Sequence, residues 1–136
     1  MFAELLYNFG GYQEWSLLLL RFIVATVLLV HGIPKVKNLR QTAESFGAMG
    51  FRPGVFWGTL VAVVEAVGGI AIFIGFFAQP FAALFAGQML VATVWKIKRG
   101  QGFVGGYELD LVLMGASLAL ATYGSGALSV DGYLWY

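Results

Sequence analysis

The sequence contains no cysteine and a single histidine, His31. The absence of cysteine excludes a disulfide relay within the chain and an iron–sulfur cluster held by its own thiolates. One histidine also excludes a haem group held by two histidines of this chain. Electron transfer by this protein therefore requires a bound organic cofactor, such as a quinone, or a partner subunit.

Charge is also scarce. Asp, Glu, Lys and Arg make up 11% of the 136 residues, against about 25% in soluble domains. The net charge is only +1, so no polybasic surface indicates nucleic-acid binding. Hydrophobic residues make up 60% of the chain. A chain this apolar would expose too much hydrophobic surface to water, so the lipid bilayer is its expected partner.

Four apolar runs predict membrane-spanning helices, at residues 15–32, 56–77, 80–96 and 107–123. About 20 apolar residues cross the hydrocarbon core, and 17 are near the lower limit. The sequence therefore predicts an all-α integral membrane four-helix bundle, formed as a single domain over residues 1–136. Between the first two spans, apolar residues recur at helical spacing, at Val36, Leu39, Ala43 and Phe46. This repeat predicts a short amphipathic helix on the membrane surface.

The basic residues predict an orientation. Seven of the eight Lys and Arg residues lie at or near the connections after the first and third spans: Lys35, Lys37, Arg40, Arg52, Lys96, Lys98 and Arg99. These two connections share one side of a four-span protein. Because cytoplasmic loops are enriched in Lys and Arg, we expect an inner membrane protein with both termini outside the cytoplasm.

Two residues of opposite charge, Arg21 and Glu65, lie inside apolar runs. Either one alone costs roughly 2.5–3.5 kcal/mol at the centre of a membrane helix. We therefore expect them to neutralise each other within the bundle, with Gln88 of the third span completing the hydrogen bonding. This predicts a polar cluster of Arg21, Glu65 and Gln88 as a candidate ligand or quinone site. The alternative is a buried ion pair that only fixes the helix register.

A second polar layer is predicted toward the basic connections. His31 and Lys35 share a helix face, and Glu108 and Asp110 begin the fourth span from the same side. Such a layer can form a proton route. It can also be structural, because acids stabilise a helix N-terminus and Lys35 can lie among lipid headgroups. Glu108 and Asp110 are about 200° apart on a helix, so one of them faces inward, and Glu108 is favoured. No residues have metal-ligand spacing, so no metal site is predicted.

Several short motifs occur in a specific order: Leu20-Arg21-Phe22, His31-Gly32-Ile33-Pro34-Lys35, Glu65 with Gly68-Gly69, Tyr107-Glu108-Leu109, and Gly124-Ser125-Gly126 with Leu128-Ser129-Val130-Asp131. On these motifs the chain resembles the DoxX family of small four-helix membrane proteins, over roughly residues 15–134. The resemblance implies the four-helix membrane fold. The family's names derive from subunits of a terminal quinol oxidase and a thiosulfate:quinone oxidoreductase, and other relatives are linked to redox stress or aromatic catabolism.

Three functions follow from these observations. The first is a non-catalytic or quinone-interacting membrane subunit of a redox system, with no intrinsic cofactor, a bound quinone, and either a homo-oligomer or partner subunits. The second is a structural or assembly scaffold of a larger membrane complex. The third is a small transporter or permeation path. The sequence leaves open whether the chain is catalytic alone and which ligand it binds.

Overall fold

The computed structural model describes residues 1, 4 and 8–135. Its main elements are α1 (Gln13–Lys37), α2 (Leu39–Ala48), α3 (Gly54–Ile74), α4 (Ala78–Lys98), α5 (Glu108–Tyr123) and α6 (Val130–Trp135). A short 3₁₀ turn, Asn8–Tyr12, precedes α1, and a kinked turn, Phe103–Tyr107, precedes α5. No strand is present among the described residues. The predicted all-α fold is therefore confirmed.

Four helical segments are long and apolar enough to cross a membrane: α1, α3, α4, and α5 together with its preceding turn. The four predicted spans lie on these segments, except that the second was expected to reach Phe77 whereas α3 ends at Ile74. The first helix runs five residues beyond its expected end at Gly32, to Lys37, with Pro34 inside it. Membrane helices tolerate an internal proline because neighbouring groups satisfy the freed backbone carbonyl.

The bundle is built from two close helix pairs. α1 packs along α3 and α4 packs along α5, whereas the contact between α3 and α4 is sparser. The buried core lies between the pairs and contains Val24, Leu28, Ile72, Phe85 and Leu120. Large apolar side chains on the outside, such as Val63, Ile70 and Leu90, are about half exposed, which suits contact with lipid tails.

Two glycines fix the antiparallel register of α1 and α3. A Cβ at Gly32 would lie 2.5 Å from the backbone nitrogen of Ala66, and one at Gly69 would lie 2.8 Å from the Leu29 side chain. Small residues let membrane helices approach this closely. Residue 32 of α1 therefore lies opposite residues 65 and 66 of α3, and this register positions the polar groups described below.

The short helix α2 packs across the first turns of α3. A Cβ at Gly54 would overlap the Ala43 carbonyl oxygen, and one at Gly58 would lie 3.2 Å from the Ala43 Cα. The predicted amphipathic repeat is divided, because Val36 belongs to the end of α1 and the other three residues to α2. We call this side of the bundle, which carries the seven basic residues, the basic end.

The chain after α5 folds back over the opposite side of the bundle. The backbone N–H of Asp131, in α6, donates to the Gly75 carbonyl at 2.8 Å. Gly75 ends α3 in the left-handed conformation, with φ of 73°, which glycine adopts without steric cost. We call this side the C-terminal end.

Candidate functional site

Glu65 is the centre of a polar cluster that joins three membrane-spanning helices. It lies on α3 and is 4% exposed. One carboxylate oxygen forms an ion pair with the ammonium group of Lys35, from α1, and the other accepts a hydrogen bond of 2.6 Å from the Gln88 amide, on α4. We call these three residues the Glu65 cluster. Both oxygens of the buried carboxylate therefore have a side-chain partner.

The close approach of α1 and α3 explains why Lys35 reaches this depth. Gly32 touches α3 at Glu65 and Ala66, and Lys35 follows it by three residues, on nearly the same face of α1. The Lys35 side chain remains 29% exposed, so its stem lies along the apolar surface while its ammonium group binds Glu65.

A groove of about 580 Å³ lies beside the Glu65 cluster, between α3 and α4. Its volume falls within the range of small-molecule sites, about 300–1,000 Å³. Most of its lining is apolar, from Phe46, Met49 and Phe51 near α2, Trp57, Leu60, Val61 and Val64 on α3, and Ala83, Leu84, Gly87, Met89, Val91, Ala92 and Trp95 on α4. Its polar lining residues are Lys35, Glu65, Gln88 and Lys96. The groove therefore combines apolar walls with a small set of convergent polar groups.

The basic end of the groove carries a second ion pair. The Lys96 ammonium group lies 2.8 Å from an Asp110 carboxylate oxygen, and Asp110 is 7% exposed. Nearby, the Trp95 indole N–H donates to the Met49 carbonyl at 3.0 Å, which ties α4 to the chain after α2. Each lysine that lines the groove is paired with a carboxylate, so the groove has a balanced formal charge.

Arg21 lies apart from the Glu65 cluster, so the predicted grouping of Arg21 with Glu65 and Gln88 is wrong. Its guanidinium group donates to three backbone carbonyls, those of Ser125 at 2.8 Å, Leu128 at 2.9 Å and Phe73 at 3.1 Å. The register explains the separation. Arg21 lies opposite Gly75, ten residues or about 15 Å along α3 from Glu65.

The predicted inner layer of His31, Lys35, Glu108 and Asp110 does not form one unit. His31 lies on the exposed face of α1. Lys35 joins the Glu65 cluster instead. Asp110, not Glu108, is the inward acid, because Glu108 bends back to accept a hydrogen bond of 3.0 Å from the Gly105 N–H in the preceding turn. The rotation of α5 about its axis, which places Asp110 inward, was not evident from the sequence pattern.

Sequence reasoning missed the role of Asp131. Its carboxylate accepts hydrogen bonds from the backbone N–H groups of Phe77 at 3.1 Å and Ala78 at 3.4 Å, and so caps α4 from a distant part of the chain. The signal available in the sequence is that residues 77–79, just before the predicted third span, include no Ser, Thr, Asp or Asn that could cap the helix. Helix N–H groups without a local cap require an acceptor from elsewhere.

Metal binding has no support in the part of the chain that the structure describes. There, no three His, Cys, Asp or Glu residues lie close enough together to hold a metal ion. The chemistry open to the groove is binding of an amphipathic molecule, with hydrogen bonds from Lys35 and Gln88 and an ionisable carboxylate at Glu65.

The four spanning segments and the buried polar cluster define a small multi-pass inner membrane protein. The family model DoxX matches residues 16–97, which is more than half of the chain and covers α1 through nearly all of α4. The chain therefore belongs to the DoxX family.

Three curated proteins are similar along nearly their whole length. "Putative oxidoreductase CatD" of Bacillus subtilis (strain 168) is 31% identical over 122 residues, which cover 90% of this chain and 89% of the relative. "Inner membrane protein YphA" of Escherichia coli (strain K12) is 27% identical, over 92% of this chain and 94% of the relative. "Inner membrane protein YqjF" of the same organism is 30% identical, over 90% and 94%. No solved structure matches the chain significantly.

Proposed function

We propose that this protein is a quinone-interacting membrane subunit of a redox system, and that the groove between α3 and α4 holds the quinone head. The observation that carries the proposal is the meeting of an apolar groove of about 580 Å³ with the Glu65 cluster. An apolar site with a few convergent polar groups is the usual form of a small-molecule site.

The hydrogen-bonding capacity of the cluster suits a quinone ring. A lysine ammonium group has three N–H donors and an amide group has two, and Glu65 takes one donor from each of Lys35 and Gln88. The remaining donors can bind the carbonyl oxygens of a quinone. Lys35 and Lys96 are each paired with a carboxylate, so the groove favours an uncharged head over an anion.

A redox role is supported by one of the relatives, since CatD carries the word oxidoreductase in its name. A bound quinone supplies two-electron, two-proton redox chemistry. Within this proposal the chain binds and orients the ring through Lys35 and Gln88, and the electrons come from a partner subunit. We further propose that the basic end faces the cytoplasm, with both termini outside, and that the chain works as a homo-oligomer or with partner redox subunits.

The proposal is tested by substituting Glu65, which holds both donors toward the groove. We expect Glu65→Gln to weaken binding of a decyl-chain benzoquinone about tenfold or more, because a charge-assisted hydrogen bond contributes roughly 1.5–3 kcal/mol. Binding is measured in nanodiscs by quenching of tryptophan fluorescence, since Trp57 and Trp95 line the groove.

The matched control is Glu44→Gln. Glu44 is an exposed carboxylate that is also paired with a basic residue, Arg40, but it lies outside the groove. Its substitution should leave quinone binding unchanged within about twofold. If the wild-type chain binds no quinone, the proposed function fails, and the scaffold alternative gains support. If Glu65→Gln binds as tightly as wild type, the head lies elsewhere.

A further inference from the structure

We infer that the groove takes its ligand sideways from the bilayer, through an opening on α4 formed by Ala83 and Gly87. This inference rests on the proposed function and specifies the ligand as a quinone with a long apolar tail. The head reaches the Glu65 cluster, while the tail extends between α3 and α4 into the surrounding lipid.

The first observation is the position of the opening. Gly87 lies nine residues from the start of α4 and eleven from its end, so it is about 14–16 Å from either end of the helix. That places it near the middle of the hydrocarbon core. Ala83 and Gly87 both line the groove and are both exposed. Because exposure at this depth is exposure to lipid tails, the groove is open to the bilayer there.

The second observation is the empty space at Gly87. A Cβ placed on this residue meets nothing within 4 Å, so no helix packing requires a glycine at this position. By contrast, a Cβ added at Gly32, Gly54 or Gly69 would lie within 3 Å of a neighbouring helix or side chain. Gly87 therefore leaves a depression on the lipid-facing side of α4, flanked by Leu84, which is 55% exposed, and Val91, which is 51% exposed.

The third observation is the distribution of polar groups along the groove. The polar groups lie at its inner wall and at the basic end, in the Glu65 cluster and Lys96, whereas the opening carries only apolar side chains and Gly87. A molecule that fits this arrangement has one uncharged polar head and one apolar tail. A quinone without a tail would leave the apolar part of the groove unfilled, so the tail contributes to affinity.

The test uses two probes and two variants. The probes are a decyl-chain benzoquinone and the same ring without a chain, both added to the full chain in nanodiscs. The variants are Gly87→Leu and, as a matched control, Gly115→Leu. Gly115 is also exposed at mid-helix with nothing within 4 Å of an added Cβ, but it lies on α5 and does not line the groove.

We expect Gly87→Leu to weaken binding of the decyl-chain probe about tenfold or more, because the new side chain occupies the path of the tail. Binding of the chainless ring should change by no more than about twofold, and Gly115→Leu should leave both probes unaffected. Ala83→Leu provides a second blocking variant, with the same expected result, if Gly87→Leu does not accumulate in the membrane.

The remaining outcomes separate this inference from the proposed function. If wild type binds both probes and Glu65→Gln weakens both, but Gly87→Leu and Ala83→Leu change neither, the quinone site stands and the lateral opening is wrong. If Gly87→Leu weakens both probes equally, the residue supports the head site and the opening is again wrong. If wild type binds neither probe, the proposed function and this inference fail together.

Discussion

Arg21 and Glu65 are buried to the same degree, at 3% and 4% exposure, yet their surroundings differ in kind. Arg21 is held by three backbone carbonyls, two from the chain after α5 and one from the end of α3. Glu65 is held by two side chains, Lys35 and Gln88, beside an open groove. Backbone acceptors cannot move away without refolding a segment, whereas side chains can change rotamer to meet a ligand.

The comparison indicates different roles for Arg21 and Glu65. At the C-terminal end, Arg21 fixes the folded-back segment, and Asp131 of that segment caps α4. Because the three hydrogen bonds of Arg21 end on backbone carbonyls and the Asp131 carboxylate accepts from backbone N–H groups, we interpret this arrangement as structural. At the Glu65 cluster, near the middle of the spans, donors of Lys35 and Gln88 remain free for a ligand, and the adjoining space is large enough to hold one. Charged residues in membrane spans are costly, and this chain uses one for folding and one for its proposed site.

The largest effect is expected from Arg21→Met. The substitution removes three charge-assisted hydrogen bonds and leaves three carbonyls at the C-terminal end without that donor, so stability should fall by about 4 kcal/mol or more. The fall is measured by thermal unfolding of the full chain in detergent. In the fraction that remains folded, affinity for the decyl-chain benzoquinone should stay within about threefold of wild type.

Arg21→Lys is the informative companion variant. It keeps the positive charge, but a single ammonium group cannot reproduce the planar fork that reaches three separate carbonyls. We expect an intermediate loss of stability. If Arg21→Met instead abolishes quinone binding while the protein unfolds at the wild-type temperature, Arg21 belongs to the functional site and the comparison is wrong.

A smaller effect on stability is expected from Gly32→Leu. A side chain there meets the backbone of α3 at 2.5 Å, so α1 and α3 must separate, at a cost of about 3 kcal/mol. Separation also withdraws Lys35 from Glu65, so quinone affinity should fall together with stability. Gly115→Leu serves as the control, because its added side chain meets open space. Unchanged quinone affinity in a destabilised Gly32→Leu would show that the register of α1 and α3 does not position the site.

The sequence was sufficient for the fold because spans are set by local hydrophobicity and helix length. Four apolar runs produced four spanning segments, and the short helix on the basic side also formed. The partners of the buried charges were not predictable in the same way. The sequence shows that Arg21 and Glu65 lie inside apolar runs, whereas their pairing depends on where α1 crosses α3. That crossing is set by Gly32 and Gly69, two glycines among the 19 in the chain.

The candidate site was therefore predicted in part. Glu65 and Gln88 were expected to meet, and they do, because their helical depths match. Helical spacing places Lys35 in a layer with His31, but a lysine side chain reaches well beyond its backbone position and here meets Glu65. The backbone carbonyls that bind Arg21 cannot be identified from the sequence, because every residue has a backbone carbonyl. Hydrophobic periodicity gives neither how far a side chain extends from its helix nor where the segment after α5 folds back onto the bundle.

The smallest effect is expected at His31, which lies one helical turn before Lys35. His31 is exposed on α1 and does not line the groove, so His31→Gln should change stability by less than about 0.5 kcal/mol and quinone affinity by less than about twofold. Lys35→Gln, four residues later, should reduce affinity about tenfold, because it removes the ammonium partner of Glu65. Both variants are measured by the same fluorescence titration in nanodiscs. If both variants lose quinone affinity equally, His31 and Lys35 act together, as the sequence predicted. If only Lys35→Gln loses affinity, quinone binding is confined to the side of α1 that faces α3.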